Sequence, residues 1–355
     1  NSRGTDQYFL SMCKAAGDAV IEMPLSRWDH SLYYNPESDG SDHTVYCRHA
    51  CFGIEDAYLF DNKFFDISSI EAQAMDPMQR QIMEVSFSAL SDGGYDKNTL
   101  SRKSECIGHF VGCDKSDYRE VINSNNLKLP GALSGLAMAF SIFANRFSYT
   151  FNLKGPSMQI DTACSSSLVC THMSKLCLMD NTQDVEPAVA SVVNGINLNL
   201  HVCSFQFTCA ASMLSRMGRC FTFDKSADGY TRGEACGALC IKPQQFNPAE
   251  GSIALLAGSN VNQDGRSASL TAPNGPSQTS SIRAVMRECG ISPGEVDAAE
   301  CHGTGTSLGD PIEIGSIRKV MAGAPRNEPL LITTSKSMLA HGEGSAGLAG
   351  FMKCV

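Results

Sequence analysis

Short apolar runs alternate along this chain with stretches in which apolar residues recur every three or four positions. The runs Ile107 to Gly112, Ser157-Met158-Gln159-Ile160, Ala188 to Val193, Ile253 to Gly258, Val296 to Cys301 and Leu330 to Thr334 predict buried strands. Helical spacing predicts a first helix through Met12, Cys13, Ala16, Val20 and Ile21, ended by Pro24 to Asp29. It predicts a second helical region from Ser68 to Leu90, with Asp76-Pro77 opening a fresh helix and Gly93-Gly94 ending it. Further helices are expected over Leu136 to Tyr149, through Leu168, Val169, Met173, Leu176 and Cys177, and over Pro276 to Cys289. Asp310-Pro311-Ile312-Glu313 reads as a helix start, with an N-cap, Pro at the first position and a capping-box Glu. Residues 30–43 and 218–237 are rich in Asp and Gly and predict loops, and the aromatics from Glu55 to Phe65 predict an apolar anchor. Strands alternating with helices indicate an α/β protein with mainly parallel sheets.

With 355 residues, 43% of them hydrophobic and 18% charged, the chain can bury a large core, in one domain or two fused halves. A net charge of -9 without a basic run argues against nucleic acid as a partner. No apolar run is long enough to span a bilayer, and the first residues do not read as a signal peptide. The 16 cysteines are irregularly spaced, with no C-x-x-C, and read as reduced thiols of a soluble protein in a reducing compartment, cytoplasmic or plastid. His43, Cys47, His49 and Cys51 invite a metal reading, but their alternation with Val45 fits an ordinary strand and no zinc spacing, so no metal is expected.

Three places concentrate reactive groups. Cys164, in Asp161-Thr162-Ala163-Cys164-Ser165-Ser166-Ser167-Leu168, falls on a sharp turn from strand to helix. There the free N–H groups and the helix dipole favour a thiolate, and the serines suit the capping of those N–H groups. His302 follows a strand and enters the glycine- and hydroxyl-rich run Gly303-Thr304-Gly305-Thr306-Ser307-Leu308-Gly309. Lys336, His341 and Glu343 follow the last strand. One Cys with two His suits thiol chemistry on an acyl group: a thiolate attacks a thioester, and neutral imidazoles donate to an enolate oxygen. Each His is followed by Gly, which permits close backbone approach to a ligand.

These three runs resemble the β-ketoacyl synthase domain of type I polyketide synthases, in the thiolase-like superfamily. So do Pro24 to Asp29, Asp76-Pro77-Met78-Gln79-Arg80, Gly155-Pro156-Ser157, Phe223-Asp224, Asp228-Gly229-Tyr230, Arg232-Gly233-Glu234, Asn262-Gln263-Asp264-Gly265 and Leu270-Thr271-Ala272-Pro273-Asn274-Gly275. The resemblance implies a five-layered α-β-α-β-α fold of two duplicated halves: 1–248 with the nucleophile, and 249–355, incomplete, with the histidines. It implies decarboxylative condensation of an acyl group on Cys164 with malonyl-acyl carrier protein, in polyketide or fatty-acid biosynthesis. His302 and His341 would assist decarboxylation, Lys336 would tune their charge with Glu343 as a hydrogen-bonding partner, and the N–H of Cys164 would supply half an oxyanion hole. Thr304 and Thr306 would contact the phosphopantetheine arm of the acyl carrier protein, the protein itself binding no cofactor. A homodimer and neighbouring synthase domains are the further partners implied.

Met338 and Ala340 stand where the family usually has Asn and Gly, and Gly342 where Thr or Ala is frequent; the chain also reads as cut at both ends. Met338 and Ala340 open an alternative, a non-elongating homologue that binds or decarboxylates carrier substrates without condensing, against which the complete Cys-His-His set argues. A thiolase-type enzyme would need a second cysteine late in the chain, for which Cys301 and Cys354 are the candidates. An acidic chain that docks an acidic carrier needs local positive charge, and Arg219, Lys225 and Arg232 are the residues expected to supply it.

Overall fold

The computed structural model describes residues 6–129, 131–180, 186–243 and 251–355. Asp6–Lys14 (α1) stops short of the predicted helix, and Val20–Glu22 (β1) pairs antiparallel with His49–Cys51 (β2). Asp18 accepts the N–H of Val20 at 2.9 Å and turns the chain, so that a remote strand partner overrides the local helical spacing. His43 has φ of 61° and only residues 49–51 lie on a strand, so His43, Cys47, His49 and Cys51 do not share one strand face. Cys47 and Cys51 are buried in two different apolar clusters.

Ser69–Ala74 (α2) and Pro77–Asp92 (α3) divide where predicted, because Asp76 accepts the Met78 N–H at 2.7 Å and Pro77 occupies the first helical position. Lys97–Lys103 (α4), Ile107–Gly112 (β3) and Tyr118–Ser124 (α5) follow. The single helix expected over 136–149 is two, Gly131–Met138 (α6) and Phe140–Thr150 (α7), broken at an extended Ala139. The side-chain amide of Gln79 donates to the carbonyls of Leu136 and Ala137, each at 3.0 Å, and so takes acceptors that a continuous helix would use.

Ser157–Ile160 (β4), Ser166–Met179 (α8), Ala190–Asn197 (β5), Cys203–Ala210 (α9) and Ala235–Ile241 (β6) complete the first half. The sheet order is β4-β3-β5-β6, with β3 parallel to both neighbours and β6 antiparallel to β5. The strands β3 and β5 are buried along their whole length, whereas β4 is an edge strand with Met158 38% exposed, not the buried strand predicted. The region 218–237 is loop up to residue 234, and β6 then begins at Ala235.

The predicted buried face of α8 is met only in part: Met173 and Cys177 pack against the core, Val169 is half-buried, and the two leucines point outward. Ser167, Cys170, Thr171 and Ser174 face the core, while Leu168 and Leu176 are both 46% exposed. The reason is distance: a Cβ on Gly112 of β3 would lie 2.6 Å from the Ser167 nitrogen, so the first turn of the helix and the sheet approach too closely for large side chains.

In the second half, Gly275–Cys289 (α10), Ala298–Glu300 (β7), Gly309–Met321 (α11), Leu331–Thr333 (β8), Lys336–Leu339 (α12) and Ala346–Cys354 (α13) follow in order. Strands β7 and β8 pair in parallel. The predicted strand over 253–258 is not formed: the segment is irregular, with Ile253 83% exposed, and among the described residues no strand pairs with it. The expected division at 248/249 lies outside the described residues.

Five layers result. Helices α3 and α7 cover one face of the four-stranded sheet, and α8 and α13 cover the other. Beyond α13 lies the β7–β8 pair, backed by α10 and α11 through Met286, Ile317 and Val320 against Ala299 and Cys301. The architecture is the α-β-α-β-α order expected, with the ends of β4, β7 and β8 feeding one site.

Candidate active site

Cys164 is placed by a turn that closes on itself. The carboxylate of Asp161 accepts the Ala163 N–H at 2.9 Å, and Ala163 takes a left-handed φ of 53°. One tight turn, Ala163–Ser165, leads into α8. The serines do not cap that helix as expected. Ser166 donates to the Ala163 carbonyl (2.6 Å) and accepts the Thr162 N–H (2.9 Å), and Ser165 donates to the Thr162 carbonyl (2.8 Å). The left-handed residue folds those carbonyls back within reach of the hydroxyls. Burial raises the Cys164 thiol above its ordinary value while the Lys336 ammonium pulls it down, so burial outweighs the thiolate-favouring position at the helix start.

His302 follows β7 on a loop held from α11. Glu313 accepts the N–H groups of His302 (2.6 Å) and Gly303 (2.8 Å), and Asp310 accepts those of Phe223 (2.8 Å) and Gly305 (3.2 Å). Neither acid caps α11 in the way its sequence suggests. The helix starts two residues earlier, with Leu308 as its N-cap, and the carboxylates serve the loop instead. The glycines after the histidines answer to protein neighbours: a Cβ on Gly303 would lie 2.8 Å from the Thr222 methyl, and one on Gly342 2.5 Å from the Ser345 hydroxyl. Thr304 is buried, and its hydroxyl lies 3.2 Å from that of the half-buried Thr306, on the His302 loop.

Lys336 opens the single turn α12, and Ala340 closes it by donating its N–H to the Lys336 carbonyl at 3.0 Å. Ala340 holds φ 60° and ψ −170°, a region that favours glycine. His341 is then gripped by a segment far away in sequence. Its N–H donates to the Thr231 carbonyl at 2.7 Å, and the Gly233 N–H donates to its carbonyl at 2.8 Å. The Glu343 backbone N–H donates to His341 Nδ1 at 3.1 Å. Nδ1 is therefore an acceptor, and the proton of the neutral ring resides on Nε2.

The Cys164 sulfur and one nitrogen from each of His302 and His341 lie within 4.8 Å of one another, and the two imidazoles stand nearly perpendicular with centroids 5.5 Å apart. Both rings are kept neutral. Burial and then Lys336 lower His341 well below the usual imidazole value, and surrounding protein and then Lys336 lower His302 as well, although its ring is open to the pocket. The cluster has the compactness of a metal site but not its chemistry. His341 Nε2 carries a proton while Nδ1 already accepts one, and the buried Lys336 ammonium repels a cation. What the arrangement offers is a thiol beside imidazole N–H donors.

The Glu343 carboxylate is not on Lys336, the partner that the resemblance implied. It forms ion pairs with Arg232 (2.9 Å) and Lys115 (2.7 Å) and accepts the Tyr230 hydroxyl at 3.4 Å. Arg232 is wholly buried in this network and cannot belong to a docking patch with Arg219 and Lys225. Of these two, Arg219 pairs with Asp18 at 2.9 Å and Lys225 is exposed. Cys301 lies in the apolar cluster behind β7 with its thiol pushed up to about 12, and Cys354 is exposed at the end of α13, so neither is placed as a second nucleophile. Lys115, Tyr230 and Glu313 also reach the site, and no local sequence pattern marks them for it. Lys115 reaches the site because β3, which precedes it, neighbours β4 in the sheet.

Similarity to known proteins points to one family. The family description "Beta-ketoacyl synthase, N-terminal domain" matches residues 2–247 and "Beta-ketoacyl synthase, C-terminal domain" matches residues 253–355. The chain is 42% identical over 305 residues to one of the phenolphthiocerol/phthiocerol polyketide synthase proteins of Mycobacterium tuberculosis, covering 85% of this chain and 16% of that protein. It is 38% identical to the non-reducing polyketide synthase mapC of Penicillium roqueforti, covering 83% of this chain and 12% of that protein. The chain thus spans about a sixth or less of the length of these relatives. Among solved structures, the ketosynthase from module 6 of the bacillaene synthase of Bacillus subtilis 168 superposes with a TM-score of 0.85 at 33% identity, over 98% of this chain and 57% of that one. The oxazolomycin ketosynthase domain OzmH KS7 of Streptomyces albus JA3453 superposes with a TM-score of 0.89 at 30% identity, over 98% of this chain and 61% of that one. Matches to both family halves, a shared five-layered fold and a thiol facing two imidazoles make this chain a member of the β-ketoacyl synthase family, a ketosynthase of the polyketide synthase type.

Proposed function

We propose that the chain catalyses decarboxylative Claisen condensation between an acyl group on Cys164 and malonyl-acyl carrier protein, in polyketide biosynthesis. The observation that carries this reading is the convergence of the Cys164 sulfur with His302 and His341 within 4.8 Å, His341 having its proton on Nε2. Cys164 gives up its thiol proton as its sulfur attacks the carrier-bound acyl thioester, and that proton leaves on the carrier thiol. The malonyl thioester then loses carbon dioxide, and the electron pair of the broken carbon–carbon bond becomes an enolate held by imidazole N–H groups. The enolate carbon attacks the acyl carbonyl on Cys164, whose backbone N–H steadies the tetrahedral oxygen. Collapse expels the Cys164 thiolate and leaves a β-ketoacyl thioester on the carrier. Burial first and then Lys336 keep both imidazoles neutral, and Lys336, itself buried, pulls the Cys164 thiol down toward the thiolate.

Thr304 and Thr306 would bind the phosphopantetheine arm, a role supported by their place on the loop that carries His302, and Glu343 acts through its backbone N–H and its ion pairs. The partners in this reading are an acyl carrier protein, neighbouring synthase domains and a second copy of this chain. The exposed edge strand β4, with Met158, Leu176 and Met179 open beside it, supports the dimer. Among the described residues, no helix is long and apolar enough to cross a membrane. All sixteen cysteines are free thiols, in keeping with a reducing, cytoplasmic compartment.

The test uses the full-length protein with an acyl-carrier donor and intact-mass readout. Wild type should gain the acyl mass and Cys164→Ala should not. Acylation that persists in Cys164→Ala, mapped to another thiol, refutes the assignment.

A further inference from the structure

Glu343 holds a left-handed φ of 45° without being glycine. Such a conformation is strained for a residue with a Cβ and persists only where the surroundings over-determine it. Here the surroundings are charges. Its carboxylate is taken by Arg232 from inside and by Lys115 from outside, at 2.9 and 2.7 Å. Arg232 reaches it through one nitrogen only, since its Nε and Nη1 are buried without a partner. Lys115 also pairs with Asp114 at 2.5 Å, and Asp114 accepts the N–H of the next residue, Gly344, at 3.2 Å. Lys115 thus ties the side chain of Glu343 to the group that holds the following peptide. The 343–344 backbone is clamped on both sides, and the Glu343 N–H is left pointing at His341 Nδ1.

We propose that Lys115 is a positioning residue: through Glu343 and Asp114 it fixes the backbone N–H that selects the Nε2-protonated tautomer of His341. Without it, Glu343 keeps one ion pair and is free to leave the left-handed region. The His341 Nδ1 then loses its donor, the proton is no longer confined to Nε2, and donation to an enolate oxygen is weakened. No charge on the Cys164 turn is altered, so acylation is spared. The positive charge of Lys115 survives its partial burial because Glu343 and Asp114 more than offset the desolvation. Its side chain is 33% exposed, so it can be varied without opening the core, which is not true of Arg232.

This inference rests on the proposed condensation only for its kinetic arm. The full-length protein is compared with Lys115→Met and Lys115→Arg after labelling histidines with 15N, the His341 resonances being assigned by their loss in His341→Gln. Wild type should show the Nε2-protonated pattern, Lys115→Met a mixture or the reverse, and Lys115→Arg the wild-type pattern. In parallel, Lys115→Met should lose about tenfold in kcat for malonyl decarboxylation, with KM for the malonyl carrier and Cys164 acylation within about threefold of wild type, and Lys115→Arg should restore the rate. An unchanged 15N pattern in Lys115→Met overturns the proposal. So does an equal fall in acylation and decarboxylation, which marks a general loss of structure. If wild type itself neither acylates nor decarboxylates, the functional reading fails, and the 15N comparison still decides the role of Lys115.

Discussion

Cys164 and His341 face the same site and are held there by different physics. The Cys164 turn is closed by bonds among residues 161 to 166, and it stands on a helix whose first turn is pressed against Gly112 of the sheet. His341 is held by Thr231 and Gly233 and oriented through Glu343, whose conformation depends on Arg232 and Lys115. The nucleophile is thus a product of local geometry and packing volume. The imidazole is a product of long-range hydrogen bonds and buried charge. The first should be damaged by added volume and tolerate remote charge changes; the second should behave in the opposite way.

The largest effect should separate the two sides outright. His302→Ala and His341→Ala should each lose malonyl decarboxylation and condensation by ~10²–10³ while Cys164 still accepts an acyl group, read by rapid quench and intact mass. A folded variant that condenses at the wild-type rate removes that histidine from the chemistry. On the other side, Gly112→Ala places a Cβ 2.6 Å from the Ser167 nitrogen. It should cost ~1–3 kcal/mol in denaturant unfolding through overpacking beneath the Cys164 helix. An unchanged midpoint would mean that the helix can lift without penalty.

Lys336 lies between the two regions and touches both by charge. Lys336→Met removes the cation that pulls the Cys164 thiol down, so the midpoint of thiol alkylation against pH should rise and alkylation at pH 8 should slow by about tenfold. Alkylation that speeds up would reverse the assigned sign. The smallest effect concerns pH. His302 and His341 both lie below the ordinary imidazole value of about 6.5, so the folded state binds fewer protons than the unfolded chain below that pH. Their contribution to stability is whole above about pH 6.5 and is lost as pH falls toward their folded values. Decarboxylation by the acylated enzyme should therefore be flat between about pH 6 and pH 8, and an acid limb centred near 6.5 would show an imidazole with an ordinary pKa.

Much of this site was legible in the linear chain, and unevenly so. Strands Ile107–Gly112 and Ser157–Ile160 and the division at Asp76-Pro77 appear where the pattern puts them, since period, proline and capping residue act within a few positions. The Leu136 to Tyr149 helix breaks because Gln79, far away in sequence, competes for its carbonyls. Val20 and Ile21 leave the first helix because β2 offers them a strand partner. Asp310 and Glu313 look like helix-capping residues and instead bind loop N–H groups, a choice no local spacing records.

What the sequence determined by itself is the inventory: a cysteine on a strand-to-helix turn, two histidines and a lysine at strand ends, and an alternation of elements that admits few folds. These are short-range properties, set by side-chain chemistry and backbone preference over a turn or a strand. Tertiary structure alone decided that α8 buries its serines and not its leucines, because the approach of Gly112 sets the space available. It alone decided that Glu343 serves Arg232 and Lys115 and not Lys336, because ion pairing follows distance through space. And it alone placed the proton of His341 on Nε2, since a tautomer is chosen by whichever group the fold brings to the other ring nitrogen.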